Sequence, residues 1–80
     1  MPQYEERFQI GSAVNVVDRE RLQAFYNGWR LHHPLGAEQL ASAGRRALVK
    51  GVSFYHGGDP LYELEGLPGV WHEACLEAAE

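Results

Sequence analysis

The sequence has 80 residues, a formal charge of −4 and a single cysteine. A chain of this length forms one small domain, so we predict a single domain over residues 1–80 and exclude a two-domain enzyme. One cysteine cannot form a disulfide within the chain, and no apolar run approaches the roughly 18 residues of a membrane span. The opening residues 1–6 lack the charged-then-apolar order of a signal peptide. We therefore predict a cytoplasmic protein.

The charge pattern limits the classes of partner. Lysine and arginine number seven and are scattered, apart from the pair Arg45-Arg46. Nucleic-acid-binding proteins gain much of their affinity from clustered basic side chains, so we predict neither a nucleic-acid nor a membrane partner. Small domains often rely on a metal, a disulfide or a partner chain for stability. Since the disulfide is excluded, we predict a protein partner or self-association as a homo-oligomer.

The first half of the chain changes its hydrophobic period. Apolar and polar residues alternate over 7–17, which predicts an extended element with a bend or bulge at Gly11. Asp18 fits the N-cap of a helix over 19–29. A turn containing Pro34 follows. A short second helix is then predicted over 37–43, with Gly44 as the glycine that follows its last turn.

The second half is typical of β-structure. Tight turns are indicated at 56–60 and 66–69, and a single helical turn at 74–76. In the strand between the two tight turns, Tyr62 and Leu64 face one side and the intervening glutamates the other. The predicted strands, in chain order, are 47–49 and 52–55 with a bulge at Gly51, then 61–65, 70–73 and 76–78.

Four residue groups resemble an SH3-like barrel. They are Phe8-x-Ile10-Gly11-x-x-Val14-x-Val16, Ala43-Gly44-Arg45-x-Ala47-x-Val49, Phe54-Tyr55-His56-Gly57-Gly58-Asp59-x-Leu61-Tyr62-x-Leu64 and Trp71-His72-Glu73-x-x-Leu76. The pattern is similar to the barrel domain of the nitrile hydratase β subunit, to the small barrel subunit of photosystem I and to small bacterial stand-alone domains. The resemblance implies a mainly β fold, a small SH3-like barrel of about five short strands. A helical insertion at about residues 19–43, after the first strand, departs from those families.

Proteins of the two named types are non-catalytic barrels that dock on larger assemblies, which implies an interaction module here. One rival interpretation is a small oligomeric enzyme with an inter-subunit site, resembling plasmid-type dihydrofolate reductase, with Tyr62, Trp71 and His72 lining that site. The motif of that enzyme is missing from 70–73. A further alternative is an accessory subunit of a metalloenzyme of nitrile hydratase type.

Two groups of aromatic and apolar residues are candidate contact surfaces. Helical spacing places one stripe on the first helix, which is either core or interface: Leu22, Phe25, Tyr26 and Trp29. Neighbouring strands carry a second group, which either binds a ligand or completes the core: Phe54, Tyr55, Tyr62, Trp71 and His72. The acidic residues near the second group favour a basic ligand: Asp59, Glu63, Glu65 and Glu73.

Groups suited to catalysis or metal binding are few. The soft metal ligands are His32, His33, His56, His72 and Cys75. His72 and Cys75 are close enough to share a metal, but paired close ligands such as C-x-x-C are missing. Nearby carboxylates disfavour the thiolate form of Cys75. We therefore predict no catalytic residue, no metal and no cofactor.

Overall fold

The part of the chain that the structure describes forms one five-stranded antiparallel sheet, with two short helices between the first and second strands. The computed structural model describes residues 7–55 and 58–79. The mainly β prediction is confirmed, and the helical segment lies within 19–43 as predicted. The elements are β1 (Ala13–Val16), α1 (Arg19–Gly28), α2 (Ala37–Leu40), β2 (Arg46–Tyr55), β3 (Asp59–Leu64), β4 (Trp71–His72), a 3-10 turn (Glu73–Cys75) and β5 (Leu76–Ala78).

The long strand β2 joins the two halves of the sheet. The strand order is β4-β3-β2-β1-β5. The first part of β2 pairs with β1, where Val14 lies opposite Ala47, and the rest pairs with β3. The register shifts between Val49 and Gly51, which confirms the bulge predicted there. Because a bulge bends the strand that carries it, β2 can serve both halves.

The segment before β1 is a turn, so the strand predicted from residue 7 is wrong in its first half. The Ser12 amide and hydroxyl both donate to the Gln9 carbonyl, at 3.0 and 2.6 Å. Gly11 has φ of +91°, a conformation that glycine adopts without steric penalty. The bend predicted at Gly11 is confirmed. Alternation could not reveal that Ser12 closes this turn.

Helix α1 begins directly after Asp18, the predicted N-cap residue. The Asp18 carboxylate accepts from the Arg21 amide at 2.9 Å, which satisfies one of the free donors of the first turn. The Arg21 guanidinium also contacts Asp18 and reaches Glu77 of β5 at 3.0 Å. The helix is thereby tied to the sheet at its N-terminal end.

Helix α2 is shorter than predicted and ends at Leu40. The Ser42 hydroxyl donates to the Glu38 carbonyl at 3.0 Å, and Gly44, at φ +79°, then turns the chain into β2. The Gln39 side chain connects α2 to the segments beside it through two hydrogen bonds. Its amide oxygen accepts from the Gly36 amide at 2.9 Å, and its nitrogen donates to the Val70 carbonyl at 2.8 Å.

The core lies on one face of the sheet. The predicted alternation in β3 is confirmed, since Tyr62 and Leu64 are fully buried while Glu63 and Glu65 are exposed. α1 contributes Leu22, which is also fully buried. The cluster comprises Phe8, Val14, Val16, Val17, Leu22, Leu35, Val49, Tyr62, Leu64, Trp71, Cys75 and Leu76. Within residues 7–55 and 58–79, no helix is long and apolar enough to cross a membrane.

Candidate functional site

The β2–β3–β4 part of the sheet has two faces with different contents. Tyr62 lies opposite Trp71, and this pair points into the core. Leu61 lies opposite His72 on the other face, because successive side chains alternate along a strand. Tyr55 and Asp59, which are paired across β2 and β3, share that second face with Leu61.

The helical segment covers part of this second face with aromatic rings. The Trp29 ring lies 4.7 Å from the His72 ring, and the Phe25 ring lies 5.1 Å from it. Phe25 and Trp29 are themselves stacked, with centroids 5.2 Å apart and planes 16° apart. His72 is 4% exposed as a result. We call the rings on this face the outer cluster: Phe25, Trp29, His32, His33, Tyr55 and His72.

The turn after α1 brings two histidines to the same face. The His32 ring stacks on Tyr55 with centroids 3.6 Å apart. The Trp29 indole N–H donates to the His32 carbonyl at 2.6 Å, and His72 Nε2 lies 2.8 Å from the His33 carbonyl. His33 has φ of +50°, a left-handed conformation that costs a side-chain-bearing residue about 1–2 kcal/mol. The contacts of this turn hold it in that conformation.

A carboxylate lies beside this turn. His32 Nε2 is 3.1 Å from Asp59 Oδ2. Because a carboxylate can only accept, the His32 nitrogen must donate. The imidazole side chain is 11% exposed and that of Asp59 is 59% exposed. Most of the Asp59 side chain is therefore open to solvent, while one carboxylate oxygen is held in place by His32.

The outer cluster borders a pocket of about 230 Å³. Its aromatic walls come from α1 and β4, and its two carboxylates come from β3 and the 3-10 turn. A pocket of this volume is below the range of about 300–1,000 Å³ that holds drug-sized ligands, so it suits a single side chain. The lining residues are Phe25, Trp29, Asp59, Pro60, His72, Glu73 and Ala74.

The second carboxylate of the pocket, that of Glu73, is held in place by a hydrogen bond from the core. The Tyr62 hydroxyl donates to Glu73 Oε2 at 2.7 Å and accepts from the Arg7 amide at 3.0 Å. Burial, together with the Glu73 hydrogen bond, raises the pKa of Tyr62 to about 12. Tyr62 thus remains a hydrogen-bond donor to Glu73 across the physiological pH range.

Burial also affects the protonation of His72, the histidine that lines the pocket. It lowers the pKa of His72, and the His33 carbonyl opposes that shift. A neutral His72 ring presents an uncharged surface to the pocket. The acidic groups that line the pocket are Asp59 and Glu73.

The groups suited to catalysis or metal binding do not converge. Cys75 is fully buried, and burial raises its pKa to about 12, so the thiolate that a nucleophile requires is strongly disfavoured. In the part of the chain that the structure describes, no three histidine, cysteine or acidic side chains are placed to share a metal ion. His56 lies outside that part.

The structure divides the residues predicted for the two surfaces. From the helical stripe, Leu22 enters the core, Tyr26 stays exposed, and only Phe25 and Trp29 reach the pocket. From the strands, Tyr62 and Trp71 are fully buried and offer no ring to a ligand, while Phe54 is half-buried and outside the pocket. Tyr55 belongs to the outer cluster, and His72 both belongs to that cluster and lines the pocket.

Several residues of the site were not among the predicted contact residues. His32 and His33 had been considered only as turn residues and soft metal ligands, and Pro60 only as part of a predicted turn. Asp59 had been predicted only as an acidic neighbour. The pairing of Tyr55 with Asp59 and of Leu61 with His72 could have signalled the shared face once both strand registers were known. No family model, curated protein or solved structure matches the chain.

Proposed function

We propose that this chain is a non-enzymatic interaction module that binds a basic side chain of a protein partner in the pocket between α1 and β4. The observation that carries the proposal is the meeting of two aromatic rings, Phe25 and Trp29, with two carboxylates, Asp59 and Glu73, around one small pocket. Aromatic faces attract cations within about 6 Å of their centroids. Carboxylates provide charged acceptors for lysine or arginine.

The pocket is held in place before any ligand binds. Asp59 is anchored by His32 and Glu73 by Tyr62, while Trp29 is anchored through its indole N–H. Pre-ordered groups lose little conformational freedom on binding. A net charge of −4 favours approach by a basic partner.

We also propose that the five strands form an SH3-like barrel. The strand order β4-β3-β2-β1-β5, with a bulged β2 shared by both halves and a 3-10 turn before β5, supports this proposal. A barrel leaves fewer free strand edges than an open sheet. A cytoplasmic location remains a prediction, and the free buried thiol of Cys75 agrees with it.

Self-association and the two rival functions also remain predictions. A homo-oligomer would give a mass above 9.0 kDa in light scattering. The enzyme interpretation requires Tyr62 and Trp71 to line an inter-subunit site, and both are fully buried. No described feature favours an accessory subunit of a metalloenzyme over the proposed module.

The test is calorimetric titration with a short arginine-containing peptide and the same peptide carrying glutamine in place of arginine. We expect only the arginine peptide to bind. Asp59→Asn should weaken that binding about tenfold, because a charge partner of the ligand is lost. Glu65→Gln is the matched control, since it removes one charge at an exposed position outside the pocket.

Two results would overturn the proposal. Equal affinity for the two peptides would show that the basic side chain is not recognised. Equal weakening by Asp59→Asn and Glu65→Gln would show that the net charge matters and the pocket does not. Trp29→Leu, which keeps apolar bulk but removes the aromatic face, should also weaken binding, and unchanged affinity would contradict the role of the ring.

A further inference from the structure

Three side chains on the second face form a continuous hydrogen-bonded chain. Asp59 Oδ2 lies 3.1 Å from His32 Nε2, and His32 Nδ1 lies 2.9 Å from His33 Nδ1. The first contact joins β3 to the turn after α1, and the second stays within that turn. Asp59 and His32 are 27 residues apart in sequence, so the chain fastens the helical segment to the sheet.

Hydrogen-bond chemistry limits how many protons this chain can carry. His32 must donate from Nε2, because Asp59 only accepts. A contact of 2.9 Å between two ring nitrogens needs one donor and one acceptor. In the neutral pair, His32 Nδ1 is therefore the acceptor and His33 Nδ1 the donor. One additional proton can enter at His33 Nε2 without disturbing either contact.

A second additional proton cannot be accommodated. It would place N–H donors on both Nδ1 atoms, which would then repel each other at 2.9 Å. We propose that Asp59, His32 and His33 form a proton-sensing clasp, which is closed with no or one added proton and opens when a second arrives. Histidine side chains as a class gain a proton as the pH falls from about 8 to 5, so acidification is the change expected to open the clasp.

Side chains from β2, β4 and the 3-10 turn lie around the clasp. His72 of β4 bonds to the His33 carbonyl, and burial opposes its protonation. Tyr55 of β2 stacks on His32. Glu73 of the 3-10 turn lines the same pocket as Asp59, and from α1 the pocket receives only the uncharged rings. Arg30, which borders an adjoining pocket, is the nearest described cation in sequence.

The clasp should also affect ligand binding at the pocket, because Asp59 belongs to both. Protons taken up by the histidine pair offset the Asp59 charge, so a basic ligand should bind less tightly in acid. That consequence rests on the proposed function. The clasp itself does not, and its tests below use no ligand.

The first test is nuclear magnetic resonance of the histidine ring nitrogens in the whole chain. Near neutral pH we expect a proton on Nε2 of His32 and on Nδ1 of His33, and a nitrogen–nitrogen coupling across the contact between the two Nδ1 atoms. A His33 ring protonated only at Nε2, or no coupling, would overturn the proposal. The native protein suffices for this measurement.

The second test follows thermal stability from about pH 7.5 to about pH 5. In acid the unfolded chain binds one proton more than the native chain at the His32–His33 pair, and burial disfavours the protonation of native His72 as well, so stability falls as pH falls. His33→Asn removes the pair, and asparagine tolerates the left-handed backbone. We expect this variant to lose less stability on acidification than the wild type, because the contribution of the histidine pair is gone. An undiminished acid-induced loss in His33→Asn would overturn the proposal.

Discussion

The two faces of the β3–β4 pair perform different tasks, although their residues alternate in the sequence. On the inner face, Tyr62 and Trp71 are fully buried and stabilise the fold. On the outer face, His72 is covered by rings that are themselves only half-buried, and Asp59 remains largely exposed. The inner face has no surface left for a ligand, whereas the outer face retains aromatic and charged groups at a pocket. The proposed binding site therefore lies on the face that retains exposed aromatic and charged groups.

The two tryptophans offer the largest contrast. Trp71→Ala should cost about 3–5 kcal/mol, as for other large core truncations, and leave much of this small domain unfolded. Trp29→Ala removes a half-buried ring and should cost about 1–2 kcal/mol. Urea unfolding followed by circular dichroism measures both. Similar values for the two variants would contradict the division into two faces.

Helix α1 allows the same contrast within one element. Leu22 is fully buried, while Tyr26 is 44% exposed. Leu22→Ala should cost about 2–5 kcal/mol, and Tyr26→Ser should stay within about 0.5 kcal/mol of the wild type. Denaturant midpoints compare the two variants directly. A large loss in Tyr26→Ser would indicate that the exposed side of α1 is covered, as self-association would require.

Alanine variants of two glycines in the β3–β4 turn distinguish the cost of backbone strain from the cost of a side-chain clash. Gly66 and Gly69 both have φ of +79°, so alanine at either position should cost about 1–2 kcal/mol. At Gly69 an added Cβ would also lie 2.9 Å from Gln39 Nε2, whereas at Gly66 it meets nothing within 4 Å. Gly69→Ala should therefore cost about 1 kcal/mol more, through the hydrogen bonds of Gln39. Equal melting temperatures for the two variants would show that Gln39 does not fasten α2.

Tyr62 connects the two faces through its hydroxyl. Tyr62→Phe leaves the ring in the core but removes the bond to Glu73, at a cost of about 1–2 kcal/mol. Because the Tyr62 pKa is raised from 10.0 to about 12, its contribution is complete below pH 10 and is lost as pH rises toward 12. Thermal melting at rising alkaline pH should therefore fall more steeply for the wild type than for Tyr62→Phe. The buried Cys75 thiol titrates in the same direction in both proteins, so parallel curves would contradict the role given to Tyr62.

Local patterns predicted much of the fold. The helical period and cap located α1, and alternation located β3 together with its inner face. The bulge before Gly51 followed from a glycine within a run of strand-forming residues. Gly11 marked the bend, but the turn that Ser12 closes needed a contact that hydrophobic period does not encode. The predicted second helix extended too far because alanines favour helix, whereas the Ser42 amide donates to the Gln39 carbonyl three residues back, at 3.0 Å, in a turn that ends the helix.

The site was less predictable because its contacts are distant in sequence. The aromatic and acidic residue types indicated a basic ligand, but the residues that meet at the pocket depend on strand register and on the path of the helical segment. Tyr62 lies 55 residues from Arg7, and His72 lies 39 residues from His33. No local period links such pairs. The stripe on α1 was recognised, but its division between core and pocket depends on how the helix sits at the edge of the sheet.

The most direct test of the proposed binding face uses the indole N–H signals of the two tryptophans. Trp29 lines the pocket and Trp71 lies in the core. In a proton–nitrogen correlation spectrum, titration with the arginine-containing peptide should shift the Trp29 signal and leave the Trp71 signal in place. A shift of the Trp71 signal alone, or no shift of the Trp29 signal at saturating peptide, would contradict binding at the outer face.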